Sequence, residues 1–125
     1  MEELLDRAIK QATDLSRDYR ELYEKATGAT ERELLARMLR QKKFEIDALE
    51  LLKSGRVPER FVAFGTVIDD SVNMREGPST TSPVMLTLER DTGCILMERR
   101  GNWVNIQLYD GKQGWVFKDY VRANE

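Results

Sequence analysis

The sequence predicts an α+β chain: an N-terminal antiparallel helical hairpin followed by a small all-β barrel. Three observations carry that expectation. Apolar residues recur at steps of three and four up to about residue 53, and at steps of two after Pro58. Helix-stopping residues fall near Gly28 and again at Ser54-Gly55. Beyond residue 60 the turn residues become frequent, with Gly101-Asn102 and Asp110-Gly111 separating short β-type runs. The expected division is residues 1–55 as hairpin, 56–63 as linker and 64–125 as barrel.

In the first helix, Leu5, Ala8, Ala12, Leu15, Tyr19, Leu22 and Ala26 form the seam of a packed helix, and Ile9 and Tyr23 widen it. The alanines permit close approach of a neighbour. Gly28 is expected to take a positive φ after the helix end. Thr30 and Glu33 fit a capping box for a second helix from about Glu31 to Lys53. Helices joined by so short a turn pair antiparallel. Each is roughly 35–40 Å long at 1.5 Å per residue. The second helix is apolar on two sides, with Leu35, Leu39, Ile46 and Leu49 on one and Phe44, Ala48 and Leu51 on another. Such a helix has two neighbours. A second copy of the hairpin is the expected outer one, giving a homodimeric four-helix bundle.

In the second half, "FVAFGTVI" (61–68) reads as a strand broken by Gly65, and residues 94–121 as successive strands. Short strands, regular turns and no helix suggest a small barrel. Trp115 is expected in its core. Cys94, in the apolar run GCILM, is expected to be a buried strand residue. Asp69 and Asp70 read as a solvated turn.

Composition excludes several function classes. Net charge is -2 with the charges interspersed, which argues against nucleic acid as a partner. No apolar run approaches a membrane span. The start MEELLDRAIK carries acids where a secretory leader has a basic head and an apolar middle, so the expected location is cytoplasmic. A chain trimmed of its leader would read the same and would be extracytoplasmic. The chain has no histidine and one cysteine. The commonest general base is therefore missing and no internal disulfide can form. No phosphate-binding glycine loop is present either, so no enzyme, cofactor or metal is expected.

The second half also resembles a known family. "VNMREGPS" (Val72–Ser79) is similar to the opening signature of bacterial Src-homology-3 domains, a Leu-Asn-Val-Arg-x-Gly-Pro-Ser run. "GNWVNIQLYDGKQGWVFKDYV" (Gly101–Val121) is similar to the closing signature, in which a Trp starts a strand, an Asp-Gly turn follows, then Gly-Trp-Val and a terminal Tyr-hydrophobic pair. Together they cover most of Phe64 to Arg122. The resemblance implies that the segment after the first signature is a long loop across the barrel mouth, where Pro78 and Pro83 add stiffness without removing ladder hydrogen bonds. It implies a ligand groove floored by Trp103, Phe117 and Tyr120 and rimmed by Arg75, Glu76 and Asn102. Phe117 stands where eukaryotic relatives carry a groove proline, which counts against Pro-x-x-Pro recognition. Arg75 has two expected roles, steadying the loop or meeting a ligand carboxylate. The implied function is a non-enzymatic adaptor that binds a peptide or protein ligand. The alternative is a module that binds cell-wall peptide.

The helical half, from Tyr19 to Leu52, resembles half of a ferritin-like or rubrerythrin-like bundle. Its metal-ligand positions are occupied by Ala12, Lys42 and Glu45, so the resemblance implies a scaffold without metal. Lys42 and Glu45 are expected to pair across the bundle and fix its register.

Overall fold

A computed structural model describes Met1–Asn124. The chain forms two compact units, Met1–Val57 and Pro58–Asn124. The first holds helices α1 (Glu2–Lys25) and α2 (Ala29–Ser54). The second holds strands β1 (Ala63–Val67), β2 (Val72–Arg75), β3 (Val84–Leu88), β4 (Gly93–Arg100), β5 (Trp103–Leu108), β6 (Gln113–Phe117) and β7 (Val121–Ala123), with a 3-10 turn at Lys118–Tyr120 before the last. The α+β class and the order of hairpin and β unit are as the sequence predicts.

The hairpin turn differs in detail. Gly28 is not left-handed; it caps α2 with φ -78° and ψ 138°. The terminal carbonyls of α1 find another donor. The Arg32 Nη1 donates to the Tyr23 carbonyl at 2.9 Å and to the Ala26 carbonyl at 3.0 Å, with its guanidinium 4.0 Å from the Tyr23 ring centroid. A side chain thus satisfies groups that a left-handed glycine would otherwise help to cover. The capping box is also absent: α2 begins at Ala29, Thr30 lies inside it, and the Glu33 carboxylate accepts from Arg37 at 3.1 Å. At the far end Gly55 does take φ 72° and stops α2 as expected.

Lys53 and Asp6 join the open ends of the two helices at 2.7 Å. Ala12 is the one buried residue of α1, and α2 has none. Leu15 and Leu22, expected in the seam, are instead exposed, because the helix turns Ala12, Tyr19 and Tyr23 toward α2 and leaves the two leucines at the seam's margin. Lys42 and Glu45 do not reach away from their helix for a partner. They pair with each other at 2.9 Å within α2, one turn apart, with Lys42 also 5.8 Å from the Tyr19 ring centroid. At an i, i+3 spacing the intrahelical partner is the nearer one.

The seven strands form one antiparallel sheet in the order β3-β2-β6-β5-β4-β1-β7. Val67, Val72, Met74, Leu88, Cys94, Ile106, Leu108, Val116 and Val121 make one buried cluster. Strands near both ends of the order contribute to it, so the sheet curls around its own inner face. Gly65 does not break β1. It pairs with both Cys94 and Ala123, and a Cβ there would meet Leu96 Cδ2 at 2.8 Å and the Arg122 carbonyl at 3.0 Å. The glycine is needed for close packing of three strands. Trp115 is buried but lies outside the central cluster. Side chains alternate along β6, and it is Val116 that points inward. Trp115 is on the opposite face, with the Arg100 guanidinium 5.3 Å from its ring centroid.

Candidate functional site

The site begins with strand register. β5 and β6 pair so that Trp103 stands opposite Phe117. Cross-strand partners share a face. The two rings meet edge to face, centroids 5.7 Å apart at 86°. Asn102 and Gly101 form the β4–β5 turn, Gly101 at φ 57°. The Asn102 carbonyl accepts from the Lys118 N–H at 2.8 Å, which ties that turn to the strand end carrying Phe117. The following 3-10 turn swings Tyr120 to a centroid distance of 5.7 Å from Phe117, tilted by 52°. Three aromatic rings thus form a continuous strip.

A second segment reaches the strip through one backbone bond. The Ile68 N–H donates to the Tyr120 carbonyl at 2.9 Å. Asp69, Asp70 and Ser71 follow, and Ser71 takes φ 53° as the chain turns into β2. Non-glycine residues seldom hold that conformation, so the turn is specified by its surroundings. A cleft of about 420 Å³ opens between these pieces. The three aromatics line one part of it, and Asp69, Asp70 and Ser71 another. Arg75 and Thr80 complete the wall from β2 and the loop beyond it.

That loop, residues 76–83, is held from within. The Glu76 N–H donates to the Pro83 carbonyl at 3.0 Å and the Ser82 N–H to the Ser79 carbonyl at 3.1 Å. The Ser79 and Thr81 hydroxyls lie 2.8 Å apart. Arg75 supplies the brace: its Nη1 donates to the Thr80 carbonyl at 3.0 Å and to the Ser82 carbonyl at 2.9 Å. The brace uses hydrogen-bonding capacity, while the positive charge stays at the cleft wall. Pro78 and Pro83 both fall in this loop, outside the strands.

One guanidinium, Arg75, and two carboxylates, Asp69 and Asp70, therefore line the cleft beside the aromatic strip, and the two carboxylates are paired from outside the lining by Arg90. Arg90 lies 3.2 Å from the Asp70 carboxylate and 3.6 Å from that of Asp69, and it donates to the Ile68 carbonyl at 2.8 Å. The hydrogen bond that Arg90 donates to the Asp70 carboxylate, with that carboxylate's charge, holds the Arg90 guanidinium above its usual range. Arg75 in the lining and Arg90 behind Asp69 and Asp70 offset the two carboxylates, so a ligand meets ring faces and hydrogen-bonding groups rather than a strong field.

Of the six site residues read from the sequence, Trp103, Phe117, Tyr120 and Arg75 line this cleft. Glu76 and Asn102 lie outside its lining. Glu76 belongs to the loop base, and Asn102 acts through its carbonyl on the strand below. Asp69 and Asp70 are exposed, as a solvated turn would be, yet both line the cleft. Their adjacency in sequence held no sign of this; the Ile68–Tyr120 bond brings them there. Cys94 is fully buried, and burial pushes its thiol up to about 12, which removes thiolate reactivity. Among the described residues no group of three His, Cys, Asp or Glu could hold a metal ion. Among the described residues no helix is long and apolar enough to cross a membrane.

A curled antiparallel sheet with an aromatic cleft between a braced loop and the β4–β5 turn is the architecture of a small Src-homology-3-type binding barrel. Residues 70–122 match the family model of the bacterial SH3 domain. The chain therefore carries a bacterial SH3 domain in its second half, joined to an N-terminal two-helix hairpin. Domains of this family are in general binding modules rather than catalytic ones. No curated protein matches the chain.

Proposed function

We propose that this is a non-enzymatic adaptor whose barrel cleft binds a peptide or protein ligand, and whose hairpin, residues 1–55, joins two copies so that two barrels act together. The observation that carries the ligand reading is the strip of Trp103, Phe117 and Tyr120 opening into a cleft of about 420 Å³. Aromatic faces next to balanced charges suit an extended peptide, whose side chains pack on rings while its main chain takes hydrogen bonds. Two linked barrels raise avidity for a repetitive partner without new contacts. On the adaptor reading the protein works in the cytoplasm. The alternative ligand is cell-wall peptide, which places the protein outside the membrane.

The test is co-sedimentation with purified bacterial cell-wall sacculi, comparing the full chain with a folded Trp103→Ala/Phe117→Ala variant. Pelleting of the first but not the second supports the wall ligand. If neither pellets, peptides are selected from a displayed library against the full chain and counter-screened on the variant. A failure to obtain any peptide sensitive to the two substitutions sinks the cleft reading.

A further inference from the structure

Dimerisation through the hairpin, on which this inference rests, needs a specific surface. The seam between α1 and α2 leaves a second set of large apolar residues uncovered. On α1 these are Leu4, Leu15 and Leu22, spaced 11 and 7 apart, which brings them within about 20° of one another around the axis. On α2 they are Leu34, Met38 and Leu52, spaced 4 and 14 apart and within about 40°. Each set lies about a quarter turn from its own seam, in the same rotational sense. For two antiparallel right-handed helices, equal rotations from a shared seam arrive at the same side. All six residues therefore share one broad side of the hairpin. Leu22 and Leu34 lie toward the turn, Leu15 and Met38 nearer the middle, and Leu4 and Leu52 at the open end.

These six side chains are between 36% and 61% exposed. Together they leave on the order of 500 Å² of apolar surface open along this side, in a group of four toward the turn and a pair about 16–21 Å further on at the open end. With a polar margin this approaches the roughly 800 Å² that each partner of a standard interface covers. The polar positions on the same side are Gln11, Asp18, Gln41 and Glu45. Lys42, the nearest cation, is turned to Glu45 at 2.9 Å. An apolar helix side whose polar positions are two amides and two carboxylates, with Arg7 only at its edge about 60° from Leu4, is ill suited to an anionic lipid surface. It suits its own copy. Leucines stand at both ends as well as near the middle, so a second hairpin turned end for end meets apolar residues with apolar residues, as an isologous interface requires.

We infer that the side carrying Leu4, Leu15, Leu22, Leu34, Met38 and Leu52 is the surface on which a second copy of this chain docks. The experiment is sedimentation equilibrium on the full chain and on Leu15→Glu, Leu22→Glu and Arg20→Glu, with helicity checked by circular dichroism. Arg20 is exposed and lies on the far side of α1. The wild type and Arg20→Glu are expected to be dimers. Each leucine variant is expected to weaken the dimer at least about thirtyfold. If a glutamate variant loses helicity, Leu15→Ala/Leu22→Ala replaces it. A wild-type dimer unaffected by the leucine substitutions overturns this choice of side and leaves hairpin dimerisation standing. A wild type that is monomeric at every concentration overturns both. So does a monomer that floats with phosphatidylglycerol vesicles, which would assign the side to lipid.

Discussion

Trp103 and Phe117 face each other across β5 and β6 with their rings edge to face, 5.7 Å between centroids and 86° between planes. Both are half-exposed, whereas Trp115, two residues before Phe117, is buried beneath Arg100. One strand face thus serves two purposes, structural at Trp115 and open at Phe117. Urea unfolding should separate them. Trp115→Ala is expected to cost about 3–5 kcal/mol and Trp103→Ala about 1–2 kcal/mol. Equal losses would mean that Trp103 is a packing residue and not a contact surface.

Arg75 braces two carbonyls of the 76–83 loop with one guanidinium. Both bonds leave one nitrogen, so the informative change removes the donor and keeps the aliphatic stem. Arg75→Met is expected to lose about 1–2 kcal/mol and to speed amide exchange at Glu76 and Ser82 while β5 and β6 stay protected. Unchanged exchange at those two amides would show that the loop is held by its own hydroxyls and turns.

Gly114 sits where β6 passes β2. A Cβ there would lie 2.7 Å from Met74 Cγ, 2.9 Å from the Arg75 carbonyl and 3.0 Å from Met85 Sδ. Met85 can swing away but a strand carbonyl cannot. Gly114→Ala is expected to destabilise the barrel by about 2–3 kcal/mol. A thermal midpoint within a degree of wild type would contradict the closeness of these strands.

Cys94 gives a pH dependence. Burial raises its thiol from about 9 to about 12 in the folded chain. The unfolded chain therefore gives up this proton first, so the contribution is intact below about pH 9 and is lost as pH rises toward 12. Between pH 8 and 11 the wild type should lose stability faster than Cys94→Ala, after the variant's constant cavity cost is subtracted. A thiol reagent should label the native protein only at the rate of unfolding. Prompt labelling at pH 8 would place Cys94 near the surface.

Much of the local structure was legible in the sequence. The period of apolar residues separated hairpin from barrel, and Gly101-Asn102 and Asp110-Gly111 marked turns that the chain makes. Those signals are local, set by which residues adopt a turn or repeat on a face. The misreadings share a different cause. Gly28 was expected to close α1 because glycine often does, but Arg32, six residues beyond Ala26, takes that task. Gly65 read as a break because its packing partners, Leu96 and Arg122, are distant in sequence. Trp115 is buried in the core as its size and apolarity suggest, and what strand parity decided is its face, opposite Val116 and outside the central cluster.

The candidate site divides along the same line. The hairpin, the β-rich second half with its bacterial SH3 signatures and the aromatic residues that end the barrel can all be read from the residues alone. Side-chain chemistry and spacing are enough for those. Folding in three dimensions is what places Asp69 and Asp70 with Tyr120 along one cleft, lets Arg75 hold a loop while lining that cleft, and pairs Lys42 with Glu45 on its own helix. Each depends on backbone bonds or packing between residues whose approach no local preference encodes. A short bond such as Ile68 to Tyr120 exists only once the sheet has curled and brought two distant strand ends together.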